Sequence, residues 1–135
     1  MSEKKILVVD DEADLIAYLS ALLKDAGYAV VTANNGQVAL DQLRAEKPDL
    51  VSLDITMPEK SGVRFYRELR SDPDFGSTPV VIVTGVTSTY GGAGGQADFQ
   101  KFISSRKKIP PPDAFFEKPI DPDAYVEKVA ELLGE

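Results

Sequence analysis

Apolar residues follow two alternating rhythms along this chain: a short continuous run, then a longer stretch with helical spacing, each closed by turn residues. Ile6-Leu7-Val8-Val9 is the first run, long enough for a strand buried on both faces and too short for a helix. From Glu12 to Ala26, the residues Leu15, Leu19, Leu22, Leu23 and Ala26 recur at helical spacing, and Gly27 ends the stretch. Ala29-Val30-Val31-Thr32-Ala33 predicts a second strand, and Asn34-Asn35-Gly36 turns into a second helix carrying Val38, Ala39, Leu40 and Leu43 before Pro48. Leu50 to Leu53 predicts strand three, Ser61 to Leu69 helix three, Pro79 to Val83 strand four and Ala114-Phe115-Phe116 strand five. Pro122 to Leu133 predicts a final helix with Tyr125, Val126, Val129, Leu132 and Leu133 inward. Alternating strands and helices joined by short turns predict an α/β fold, a parallel sheet with helices on both faces.

The rhythm breaks from Val86 to Asp113. Gly91-Gly92-Ala93-Gly94-Gly95 is followed by a weakly amphipathic piece, Gln96 to Ile103, then by Arg106-Lys107-Lys108 and Pro110-Pro111-Pro112. One helix with a flexible lead-in and a stiff proline exit is the expected content. The glycines follow the fourth strand and lack the spacing of a dinucleotide fingerprint, and the basic run reads as a solvated face rather than a docking patch.

Composition narrows the function. With 135 residues and 43% hydrophobic content, the chain suits one domain with a real core. A formal net charge of -7 argues against direct contact with nucleic acid or anionic membrane, so proteins and cations are the expected partners. Only four apolar residues follow Met1-Ser2-Glu3-Lys4-Lys5 before acid appears, too few for a signal peptide or an inserted membrane span. The chain has no cysteine and no histidine, which excludes disulfides, Cys-based metal sites and an internal phosphohistidine, and suits a cytoplasmic location.

The chemistry sits at the ends of the apolar runs. Asp10 and Asp11 close the first and Asp54 closes the third, so parallel strands bring three acids to the carboxyl edge of the sheet. Such a cluster is a pocket for a divalent cation, Mg²⁺ above all, with one acid available as a nucleophile toward phosphorus. A carboxylate and a phosphoryl group repel one another, so a bridging cation and a second positive charge are needed. Lys118 ends the fifth strand and supplies that charge; Thr84 ends the fourth and offers a hydroxyl, with Gly85 leaving room beside it.

Val8-Val9-Asp10-Asp11-Glu12, Leu53-Asp54-Ile55-Thr56-Met57-Pro58 with Gly62 following, Val83-Thr84-Gly85 and Glu117-Lys118-Pro119, in that order, resemble the receiver domain of bacterial response regulators. The resemblance covers nearly the whole chain and implies a flavodoxin-like, doubly wound five-stranded sheet of order 2-1-3-4-5, in a single domain over 1–135. It makes Asp54 the phosphoacceptor, with Asp11, Asp54 and the Thr56 carbonyl as Mg²⁺ ligands, and with Asp10 acting largely through metal-bound water. Thr84 and Lys118 contact the phosphoryl group, Lys118-Pro119 is expected to be cis, and Phe115 takes the aromatic position that switches with Thr84. A histidine kinase or a histidine phosphotransfer protein is the implied donor, and an unknown downstream protein the implied target, the chain acting as a monomer or a phosphorylation-dependent dimer. It is not expected to be an enzyme beyond its own phosphorylation and dephosphorylation, and no output domain is expected after the last helix. The chain departs from the family between Thr84 and Lys118, where the segment around 86–113 is longer than ordinary receivers carry, and at Val86, which has no acid or amide to position water.

Three rival readings are weaker. Flavodoxin-like flavin binders keep their phosphate loop after the first strand, where this chain has Asp10-Asp11-Glu12-Ala13-Asp14, a sequence that repels a flavin phosphate. A haloacid-dehalogenase-type phosphatase ends its first strand in Asp-x-Asp, and Asp10-Asp11-Glu12 lacks the second aspartate. A degenerate receiver serving as a phosphorylation-independent scaffold has no need of the complete acidic set.

Overall fold

A computed structural model describes residues 4–54, 61–84, 113–117 and 120–134, with the backbone alone described at Ser61, Val63, Thr84 and Glu117. The chain runs β1 (Lys5–Val9), α1 (Ala13–Asp25), β2 (Ala29–Ala33), α2 (Gly36–Glu46), β3 (Leu50–Asp54), α3 (Ser61–Ser71), β4 (Val80–Thr84), β5 (Ala114–Glu117) and α4 (Pro122–Leu132). The five strands form one parallel sheet in the order β2-β1-β3-β4-β5, the order that the family resemblance implied. The helix expected within 86–113 lies outside the described residues.

Period-two alternation sorts the strand side chains onto two faces. Leu7, Val9, Val51, Leu53, Val80 and Ile82 pack with residues of α2 and α3, among them Leu43, Phe65 and Leu69. Ile6, Val8, Leu50, Val81 and Val83 pack with Leu19 and Leu23 of α1 and with Tyr125 and Val129 of α4. The central strands are buried on both sides, which is why they read as unbroken apolar runs rather than alternating ones. Each fully buried leucine or valine contributes about 1.5–3 kcal/mol relative to exposure, so these layers hold the helices in place.

Local chemistry sets the helix ends. After α1 the chain reverses at Gly27, whose φ of 100° suits glycine, and the Tyr28 amide donates to the Leu23 carbonyl at 3.1 Å. Asn35 caps α2 by accepting a bond from the Val38 amide at 2.9 Å, and Lys47 ends it in the left-handed region at φ 49°. Asp121 caps α4, with Pro122 in its first turn. Asn35→Ala is expected to cost about 1 kcal/mol, read as a lower urea midpoint with an unchanged m value.

Candidate metal centre

Parallel register determines where the acids meet. Val9 pairs with Leu53, so Asp10 emerges beside Asp54 at the same edge of the sheet. Asp54 is itself the last residue of β3 and pairs with Val83. Carboxylate oxygens of Asp10, Asp11 and Asp54 come within 4.8 Å of one another. Asp10 and Asp54 are each only 1% exposed, while Asp11 faces solvent.

Asp10 also organises the start of α1, its Oδ1 accepting from the Glu12 amide at 2.8 Å. The N-cap residue is Glu12, without a side-chain cap bond, so Asp11 is not the cap of this helix. The Asp10 bond to the Glu12 amide shapes the turn into the helix without capping it, and Asp11 stands at the solvent side of the cluster. An open cavity of about 420 Å³ adjoins it, lined by Asp11, Ile16, Thr32, Asn34 and Val38 among others.

Three carboxylates this close repel one another strongly when ionised, and burial of two of them amplifies the repulsion. The arrangement is compatible with a hard divalent cation: the donors are all oxygen, and one of the three is open to solvent.

Other expected site residues are placed unevenly. Thr84 is the last residue of β4, opposite Glu117 of β5, so its backbone stands at the same carboxyl edge as Asp54. Phe115 pairs with Ile82 and packs, half-buried, against the α2 and α3 cluster. Thr56, Lys118 and the Lys118-Pro119 peptide lie outside the described residues, as does Val86.

A feature not anticipated from sequence lies beneath the acids. The Tyr125 hydroxyl of α4 donates to Ser52 Oγ at 2.6 Å, in the core, two residues before Asp54. Burial pushes the Tyr125 phenol well above its usual range; the bond to Ser52 pulls it down and the nearby Asp10 carboxylate pushes it up. The ring of Phe116 meets Tyr125 edge-on, with centroids 5.7 Å apart. The sequence signal was a tyrosine at a helix position otherwise filled by aliphatics, matched by a serine inside an apolar strand.

Comparison with known proteins bears on the family and the fold. The response regulator receiver domain family model matches residues 6–118. Protein Rrf1 of Nitratidesulfovibrio vulgaris is 41% identical over 80 residues, covering 59% of this chain and 58% of that protein. The polar-differentiation response regulator DivK of Brucella anthropi is 28% identical over 132 residues, 98% of each chain. Among solved structures, the signal receiver domain of a signal transduction histidine kinase from Syntrophus aciditrophicus superposes with a TM-score of 0.79 at 27% identity, over 97% of this chain and 90% of that one. In several transcriptional regulators that this chain also matches, the aligned stretch is only 28% to 35% of the relative's length. Among the described residues, no helix is long and apolar enough to cross a membrane.

Proposed function

Because the chain belongs to the response regulator receiver domain family, we propose that it is the phosphoacceptor switch of a two-component or phosphorelay pathway, with Asp54 as the acceptor. The observation that carries this reading is the convergence of Asp10, Asp11 and Asp54 within 4.8 Å at the carboxyl edge of the sheet. A phosphorylation-independent scaffold gives no reason to gather three like charges, two of them buried, against their mutual repulsion.

In this reading Asp11, Asp54 and the Thr56 carbonyl would hold Mg²⁺, and Asp10 would act largely through water. When bound, the cation would offset the repulsion between two anions as they react. An Asp54 oxygen attacks phosphorus; the phosphorus–nitrogen bond of a phosphohistidine donor breaks, and the imidazole leaves with the electron pair. Lys118 and the Thr84 hydroxyl take the phosphoryl oxygens that remain, and Phe115 follows Thr84 as the switch residue. Family membership supports a histidine kinase or a histidine phosphotransfer protein as the donor. Its reactions are confined to Asp54, whose modification adds about -1.5 to -2 of charge and shifts the domain toward the form that answers it best. The readout is altered affinity for a protein partner, and the cysteine-free composition fits the reducing cytoplasm, where we place the chain.

Incubation with acetyl phosphate and Mg²⁺ is expected to add the mass of one phosphoryl group, and chelation of the cation beforehand to prevent it. Intact-mass spectrometry reads both. No gain, either from this donor or from phosphohistidine proteins, would refute the assignment.

A further inference from the structure

On the face of the sheet covered by α1 and α4, β3 presents Leu50, then Ser52, then Asp54. Ser52 is 1% exposed, and its neighbours in register are Val8 and Val81, both apolar and buried. A hydroxyl in such a layer needs a partner, and the partner comes from outside the sheet: the fully buried Tyr125 of α4, at 2.6 Å. Two apolar groups of similar shape would fill this space at comparable stability, so net stability does not account for the pair. What the bond adds is direction. It fixes the distance between one helix and one strand position, while Phe116 fixes the ring from the side.

Resting on the assignment of Asp54 as phosphoacceptor, we propose that Tyr125 and Ser52 are positioning residues that couple the seat of α4 to the reactivity of Asp54. Ser52 and Asp54 share one strand and one face, so a shift of α4 acts on β3 immediately below the acceptor. The same bond works in reverse, because coupling between two sites is reciprocal: charge added at Asp54 changes how firmly α4 is held. The message of phosphorylation thereby has a route to the outer surface of α4 that does not pass through Thr84 and Phe115.

The test uses the whole chain, acetyl phosphate with Mg²⁺, and two readouts: the initial rate of phosphoryl gain, and amide hydrogen exchange across residues 122–132 before and after phosphorylation. Tyr125→Phe removes only the hydroxyl and keeps the ring. The double variant Ser52→Ala with Tyr125→Phe also removes the acceptor, leaving no unpaired hydroxyl and an unfolding midpoint within about 4 °C of the parent. Both are expected to take phosphate about three- to tenfold more slowly, the scale of one buried hydrogen bond expressed in a rate. Both are also expected to lose the phosphorylation-dependent change in α4 exchange. The exposed Tyr18, 45% accessible on α1, gives the control, and Tyr18→Phe should match the parent in both readouts. A purely structural pair predicts a double variant with the parent's rate and the parent's exchange response, and that result would overturn the proposal. Should Tyr125→Phe alone fold poorly, the double variant decides. A parent chain that takes no phosphoryl group overturns the assignment of Asp54 and this inference together; a phosphorylated parent with unaffected variants overturns this inference alone.

Discussion

Asp54→Asn is expected to take no phosphoryl group from acetyl phosphate or from a phosphohistidine donor, and without divalent cation to melt at a higher temperature than the parent. The first half follows from chemistry, since an amide is not a competent nucleophile where a carboxylate is. The second follows from the crowding of Asp10, Asp11 and Asp54 within 4.8 Å. At that separation and an effective dielectric of about 20, two unit charges repel by about 3 kcal/mol. Removing one of three charges, less the loss from relaxation and solvent, is expected to recover about 1–3 kcal/mol, a rise of several degrees. Mg²⁺ is expected to reverse the order: a cation at about a hundred times its dissociation constant would stabilise the parent by about 2.7 kcal/mol, and the amide variant would bind it more weakly. Thermal melts of both proteins across a Mg²⁺ titration should therefore cross. Curves that never cross, with the parent the more stable throughout, would mean that the acids are not held together by repulsion-bearing geometry.

Much of this fold is legible because its signals are local. A strand buried on both faces must be apolar throughout, so Ile6 to Val9, Leu50 to Leu53 and Val80 to Val83 declare themselves, and short turns between them allow only parallel crossovers. The acids were legible for the same reason: Asp10 directly follows β1, Asp54 ends β3, and register does the rest. Element ends were less so. The first helix begins at Ala13 rather than Glu12, and the third runs two residues past Leu69 to Ser71. The second difference has a clear cause, because the last turn of α3 is held by Arg70, and a charged residue at a helix end reads from sequence as solvated.

Side-chain bonds between distant residues were not legible at all. Ser52 and Tyr125 lie 73 residues apart, and each alone is an ordinary small or aromatic residue in an apolar run. Likewise nothing in sequence joins Arg70 to Asp113, at the far end of the long 86–113 segment, because the pairing depends on how β4 and β5 align. Polar contacts in the core are decided by three-dimensional register, whereas the apolar pattern that creates that register is written along the chain.

Among the described residues, Arg70→Met is expected to be the most destabilising single change outside the apolar core. The Arg70 side chain is only 4% exposed and donates to Thr78 O at 2.6 Å, Gly76 O at 3.1 Å, Tyr66 Oη at 3.0 Å and Asp113 Oδ2 at 3.2 Å. Its guanidinium also lies 5.1 Å from the centre of the Tyr66 ring. These bonds tie α3 to the loop before β4 and to the start of β5, where Asp113 Oδ2 accepts in addition from the Val80 amide at 2.8 Å. Methionine fills the stem of the arginine but leaves two carbonyls, the Tyr66 hydroxyl and a carboxylate short of a donor, a loss of about 2–4 kcal/mol. Against a usual total of about 5–15 kcal/mol, that is a large fraction. Asp113→Asn should cost much less, about 1 kcal/mol, because its amide oxygen still accepts from Val80 and its side chain is 37% exposed. Urea denaturation separates the two variants. Because the knot lies at the amino edge of the sheet and the acids at the carboxyl edge, the folded fraction of Arg70→Met should still take a phosphoryl group on Asp54. Equal midpoints for Arg70→Met and the parent would show that the buried guanidinium contributes nothing net, its desolvation cancelling its bonds.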